Sequence, residues 1–101
     1  MFVKIATLND IKPGQVKTFK VDGKRIALAN VQGTIFATQD VCTHDGGTLG
    51  DGELFEDEIE CPRHGGRFNV RTGAVTALPP MFPIKTYPVK VEGEEIHVAL
   101  E

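Results

Sequence analysis

Short apolar runs separated by turn residues dominate the chain. Val16 to Val21 and Arg25 to Val31 flank Asp22-Gly23-Lys24, and Asp-Gly between two apolar runs is a strong hairpin signal. In the second run Ile26 and Leu28 alternate with Arg25 and Ala27, the period-two pattern of a strand with one buried face. Gln32-Gly33 then leads into Thr34-Ile35-Phe36-Ala37-Thr38. Near the end Tyr87, Val89 and Val91 alternate before Glu92-Gly93, and Ile96, Val98 and Leu100 alternate after it. Helical periodicity is weak throughout. Its one candidate is a single turn around Asn9 to Lys12, which Pro13-Gly14 would stop. The pattern predicts an antiparallel all-β domain, a small sandwich or barrel.

Size and composition narrow the picture. With 101 residues the chain is expected to form a single domain, since domains of about 100–150 residues are the commonest. An apolar fraction of 41% with 25% charged residues is too hydrophobic and too mixed in charge for a disordered chain. The longest apolar run, Ile26 to Ala29, is far too short to cross a bilayer. The opening Met1-Phe2-Val3-Lys4 lacks the apolar stretch of an export signal, so a cytoplasmic location is expected. The net charge is −3, and Lys and Arg form no cluster, which argues against nucleic acid as a partner. A monomer is expected. The acids are concentrated instead: Asp51, Glu53, Glu56, Asp57, Glu58 and Glu60 share ten residues without a base. Such a run reads first as a solvated hairpin and second as a patch that steers a basic partner.

The middle of the chain, about residues 41–82, breaks the strand pattern and reads as a loop-built site on a β scaffold. It holds Cys42-Thr43-His44 and, sixteen residues later, Cys61-Pro62-Arg63-His64. Each half supplies one thiolate sulfur and one imidazole nitrogen. Gly46, Gly47, Gly50 and Gly52 follow the first half, and Gly65 and Gly66 the second. Glycine lets the backbone come close to a bound anion and turn its N–H groups towards it. Three readings compete. Two unrelated cysteines and histidines would have to fall by chance into matched pairs. A structural zinc site of Cys2His2 type fits the donors, although the one-residue spacer in Cys42-x-His44 is tight and no helix is available for a finger. A 2Fe–2S cluster of Rieske type, in which two His replace two Cys on one iron, fits donors and glycines alike.

The two loops resemble the Rieske iron–sulfur signature, Cys-x-His followed by Cys-x-x-His. In length and strand order the chain is similar to the small Rieske ferredoxins of bacterial aromatic-ring-hydroxylating dioxygenase systems. Phe36-Ala37-Thr38-Gln39-Asp40 and Val70-Arg71-Thr72-Gly73 add weaker support. The resemblance implies a cluster-binding part over about 41–82, with Cys42 and Cys61 on the inner iron and His44 and His64 on the outer one. It also implies that Leu78-Pro79-Pro80-Met81-Phe82-Pro83 covers the cluster. Partners would be a flavoprotein reductase upstream and a terminal ring-hydroxylating oxygenase downstream.

Departures from other family branches sharpen this. Quinol-oxidising members carry an extra disulfide between the two loops; here those positions are Gly47 and Arg63. Those members also place Ser and Tyr hydroxyls beside the cluster, where this chain has Gly66 and Phe68, neither of which donates from a side chain. A potential near the low end of the Rieske range, roughly −150 to +300 mV, is therefore expected. Neutral imidazoles keep the oxidised cluster's formal charge at roughly zero, so an electron is easier to add than to an all-cysteine cluster. The third histidine, His97, alternates with Ile96 and Val98 and reads as an ordinary surface residue. With His44 and His64 committed, no histidine pair remains for a mononuclear iron or a hydrolytic triad. The chain is thus expected to carry electrons and not to be an enzyme. A small Rieske-like subunit of an assimilatory nitrite reductase and a zinc-stabilised interaction module are the alternatives.

Overall fold

The computed structural model describes residues 1–41, 48–62, 65–78 and 82–100. The chain enters as β1 (Phe2–Thr7) and makes one 3-10 turn over Leu8–Asp10. That turn lies slightly before the expected one because Asp10 Oδ2 accepts the Thr7 backbone N–H at 2.9 Å and so fixes its start. The same bond holds the Asp10 carboxyl below the ordinary aspartate range. Next come β2 (Val16–Val21) and β3 (Lys24–Val31). They are joined through Asp22 and Gly23 at φ of 50° and 80°, the mirror-image turn that matches strand twist. Lys24 belongs to the strand and pairs with Val21. β4 (Thr34–Gln39) follows a second two-residue turn.

The middle segment holds more order than its sequence suggests. A 3-10 turn over Leu49–Asp51 precedes β5 (Glu53–Phe55), β6 (Glu58–Glu60), β7 (Arg67–Asn69) and β8 (Val75–Ala77). The chain closes with β9 (Thr86–Tyr87), β10 (Val89–Glu92) and β11 (Glu95–Ala99). Three antiparallel sheets result, ordered β1-β11-β10, β2-β3-β4-β9 and β5-β6-β7-β8. The antiparallel all-β expectation holds. No helix among the described residues is long and apolar enough to cross a membrane.

Two cores lie on opposite faces of the β2-β3-β4-β9 sheet. Ile26, Leu28, Ile35 and Ala37 face the β1-β11-β10 sheet and pack with Ile96, Val98 and Leu100. Ala29 and Val31, with Phe36 beside them, face the third sheet and pack with Leu49, Ile59, Phe68 and Val70. This corrects the one-sided reading of β3, in which every residue from Ile26 to Val31 is buried. Alanine at 27 and 29 is small enough to hide as a polar-face residue would in the sequence pattern, yet it makes room for a second layer. Asn30, also buried, donates to Ile11 O at 3.1 Å and accepts Gly33 N–H at 2.7 Å, which satisfies its amide. On β10 the expected alternation fails, since Val91 is exposed.

Because Ala29 is 2% exposed and faces a filled second core, Ala29→Leu should overpack it and cost about 1–3 kcal/mol. Denaturant unfolding measures this, and wild-type stability would show that the second face has unused space.

Candidate metal centre

Cys61 sits at the C-terminal end of β6, 1% exposed, in the second core beside Ile59 and Phe68. Its thiol is free of any disulfide. The backbone folds back on itself around the next residues: Cys61 N–H donates to Gly66 O at 2.7 Å, and Gly65 N–H donates to Cys61 O at 3.1 Å. Gly65 takes φ of 74°, a left-handed conformation that side-chain-bearing residues seldom hold. Cys42, His44 and His64, the other three expected ligands, lie outside the described residues. So do Gly46, Gly47 and Arg63, and Pro79, Pro80 and Met81 of the proline-rich segment. Leu78 and Phe82, at its two ends, are 75% and 69% exposed.

The described ends of these three segments are tied together. Gln39, at the end of β4, donates its backbone N–H to Lys85 O at 2.8 Å, and its side-chain oxygen accepts Lys85 N–H at 2.7 Å. This links the start of the first loop to the chain beyond the proline-rich segment. Gly52, just after the first loop, packs so closely on Glu60 that a Cβ would collide with the Glu60 carbonyl. Glu60 adjoins Cys61, so the exit of the first loop rests against the entry of the second. Asp40 fastens the first loop to itself. Fully buried, it accepts Gly50 N–H at 2.6 Å and the Thr18 hydroxyl at 3.0 Å. Removing this carboxylate would leave the half-buried Gly50 N–H unpaired, at a cost of about 1 kcal/mol. Asp40 was legible only as part of a family-like segment, because nothing in its neighbours' types signals Gly50 or Thr18.

The donor chemistry fits an iron–sulfur centre. Thiolate is the form that binds iron, and Cys61 offers an unoxidised sulfur in apolar surroundings at the foot of a glycine-rich turn. Gly66 and Phe68 are both buried, Phe68 completely, so neither position brings a side-chain hydroxyl to the cysteine.

The acidic run does form a hairpin, β5 to β6, with register Glu53↔Glu60 and Phe55↔Glu58. Half of its charge is met inside the fold. Arg67 contacts Glu58 at 3.5 Å and Glu60 at 3.2 Å, and Arg71 contacts Asp57 at 3.3 Å. Arg67 also lies over the Phe55 ring at 4.3 Å. Asp51, Glu53 and Glu56 are exposed. His97 is not the plain surface residue its alternation suggests. Its side chain is 18% exposed and its Nε2 lies 3.2 Å from Glu95 Oε1. That bond, with Lys4 nearby, holds the Glu95 carboxyl below its ordinary range. His97 stands on the β1-β11-β10 sheet, which carries none of the loop ends.

The described residues thus form a β scaffold that presents one buried free thiol among three tethered loop ends. Residues 1–88 match the Rieske [2Fe-2S] domain family, and the chain belongs to that family. It is 46% identical, over 99% of its own length and 96% of the relative's, to the ferredoxin component of the naphthalene 1,2-dioxygenase/salicylate 5-hydroxylase systems of Ralstonia sp.. The ferredoxin of carbazole 1,9a-dioxygenase from Nocardioides aromaticivorans IC177 superposes with a TM-score of 0.94 at 42% identity, covering 100% of this chain and 99% of that one. A second similar chain comes from a complex of reduced oxygenase and oxidized ferredoxin in carbazole 1,9a-dioxygenase. It has a TM-score of 0.90 at 36% identity, with 97% and 92% covered. A nitrite reductase small subunit from Mycobacterium tuberculosis, at 19% identity over 97% and 93% of the two chains and a TM-score of 0.85, shares the fold alone.

Gly52→Ala should destabilise the protein by about 1–3 kcal/mol, because the obstacle is the Glu60 backbone and not a movable side chain. Unfolding by denaturant checks this, and an unchanged midpoint would show that the two loop ends are not in firm contact.

Proposed function

We propose that the chain is a one-electron carrier, the ferredoxin component of an aromatic-ring-hydroxylating dioxygenase system. It accepts electrons from a flavoprotein reductase and delivers them to a terminal oxygenase. The observation that carries this reading is similarity to a dioxygenase-system ferredoxin component over 99% of the chain, which accounts for the fold and both ligand-bearing loops together. One Rieske 2Fe–2S cluster is the cofactor, and Cys42, His44, Cys61 and His64 are its ligands. The cluster supplies a couple that gains and loses one electron.

The chain's own residues shape that couple. Cys61, enclosed by Ile59, Phe68 and Leu49, keeps water from the sulfur side. Gly66 and Phe68 withhold the hydroxyl donors that raise the potential in quinol-oxidising relatives. The result is a carrier poised for a reduced flavin. Asp51 and Glu53 follow the first loop and Glu56 lies at the hairpin tip, so their exposed carboxylates give a basic partner an orienting field. A cytoplasmic location suits a site that needs reduced thiols. The zinc-module alternative gives way to family membership. The nitrite-reductase alternative has only the shared fold behind it.

Anaerobic visible and EPR spectroscopy with redox titration tests the reading. The purified chain should be red-brown, bleach with dithionite and titrate below zero, within the lower part of a range of roughly −150 to +300 mV. His64→Ala should abolish the Rieske signal, whereas His97→Ala leaves it unchanged. A colourless protein, or a midpoint well above zero, would contradict the assignment.

Electron transfer to the oxygenase should slow as salt rises, because the screening length falls from about 30 Å at 0.01 M to about 8 Å at 0.15 M. Stopped-flow rates measure this. Indifference to salt would leave the acidic hairpin as a solvated face only.

A further inference from the structure

Asp40 is the buried polar group whose contacts have the most unusual layout. Its carboxylate oxygens are divided between two parts of the chain: Oδ1 accepts Gly50 N–H at 2.6 Å and Oδ2 accepts the Thr18 hydroxyl at 3.0 Å. Residues 40 and 50 bracket the loop that contains Cys42 and His44, while Thr18 belongs to β2, two strands across from β4 in the same sheet. A single side chain therefore closes the mouth of the loop and moors it to the scaffold. The closure is tight on the other side as well, since a Cβ at Gly50 would collide with Thr18. Other bonds hold the loop ends from outside, Gln39 Nε2 to Val41 O at 3.1 Å and Arg25 Nη1 to Thr48 Oγ1 at 3.2 Å. The Asp40–Gly50 bond joins one end directly to the other.

We propose that Asp40 is a positioning residue for the iron–sulfur centre. By pinning Gly50 and Thr18 it sets the span across which the Cys42–His44 loop closes, and so how firmly that loop holds iron. This rests on the ligand assignment made above. A short bond from an amide to a buried carboxylate is among the stronger hydrogen bonds. Groups that orient metal ligands from one step away typically change metal affinity about 10–100-fold when lost. Because Asp40 ties the loop's two described ends to each other and to β2, its loss should loosen the loop out of proportion to any loss of global stability.

Iron release from the holoprotein to a chelator tests this, alongside EPR g-values and the unfolding midpoint. Asp40→Ala should release iron about tenfold faster or more and shift the g-values. Asp40→Asn should stay near the wild type, because its amide oxygen still accepts Gly50 N–H and its amine donates to Thr18 Oγ1. Ile96→Val, in the opposite core, serves as the control: it should lower the unfolding midpoint without speeding release. Wild-type release by Asp40→Ala, or release no faster than Ile96→Val at a matched midpoint, would overturn the proposal. If Asp40→Ala does not fold, Thr18→Val, which spares the Gly50 bond, decides by the same comparison. A wild type without iron overturns the ligand assignment and this proposal together. A normal wild-type signal with an unaltered Asp40→Ala overturns this proposal alone.

Discussion

Burial of the β2-β3-β4-β9 sheet on both faces is the constraint from which the architecture follows. A strand that packs on one side can leave polar side chains on the other, but β3 cannot. From Ile26 onwards its odd positions must be small or apolar, and they are Ala27, Ala29 and Val31. Ile26 and Leu28 meet the terminal sheet, while Ala29 and Val31 meet the sheet that supports the loops. Each core is small. Close packing in both makes the central sheet a rigid plate with no solvent-facing side from Ile26 to Val31, and a centre that exchanges electrons benefits from a frame that does not move.

The third sheet passes this rigidity to the loops. Its strands are three residues each, too short to be stable alone, so they depend on Leu49, Ile59, Phe68 and Val70 lying against the central plate. Cys61 is part of that same core, which makes one ligand candidate a packing residue as well. Around it the loop ends are fastened by contacts of different kinds: a buried carboxylate at Asp40, a backbone pair at Gln39 and Lys85, and a glycine pressed against a carbonyl at Gly52. Carrying an electron calls for little change in ligand positions between oxidation states, and fastened loop ends serve that need.

The hairpins at Asp22-Gly23 and before Ile96 were legible because their signals are local, a turn dipeptide between alternating residues. The donor set was legible for the same reason, as Cys and His at fixed spacing are chemically distinctive. Beyond the acidic hairpin, sheet three was not, since three-residue strands are shorter than the window in which periodicity can be told from chance. The acidic run read as a uniform patch because its partners, Arg67 and Arg71, follow it in sequence and fold back across it. His97 misled in the other direction: alternation predicts which way a side chain points, but not that Glu95 beside it will fold onto the ring.

By itself, then, the order of residues determined the antiparallel strands, the chemistry of the candidate ligands and the family, all of which reside in neighbours along the chain. Only the tertiary structure decided which strand has two buried faces, which acids are neutralised and which carboxylate closes the first loop. Those outcomes depend on pairs far apart in sequence, such as Thr18 with Asp40, and a contact of that kind leaves no mark in the identity of either residue until the sheets have packed.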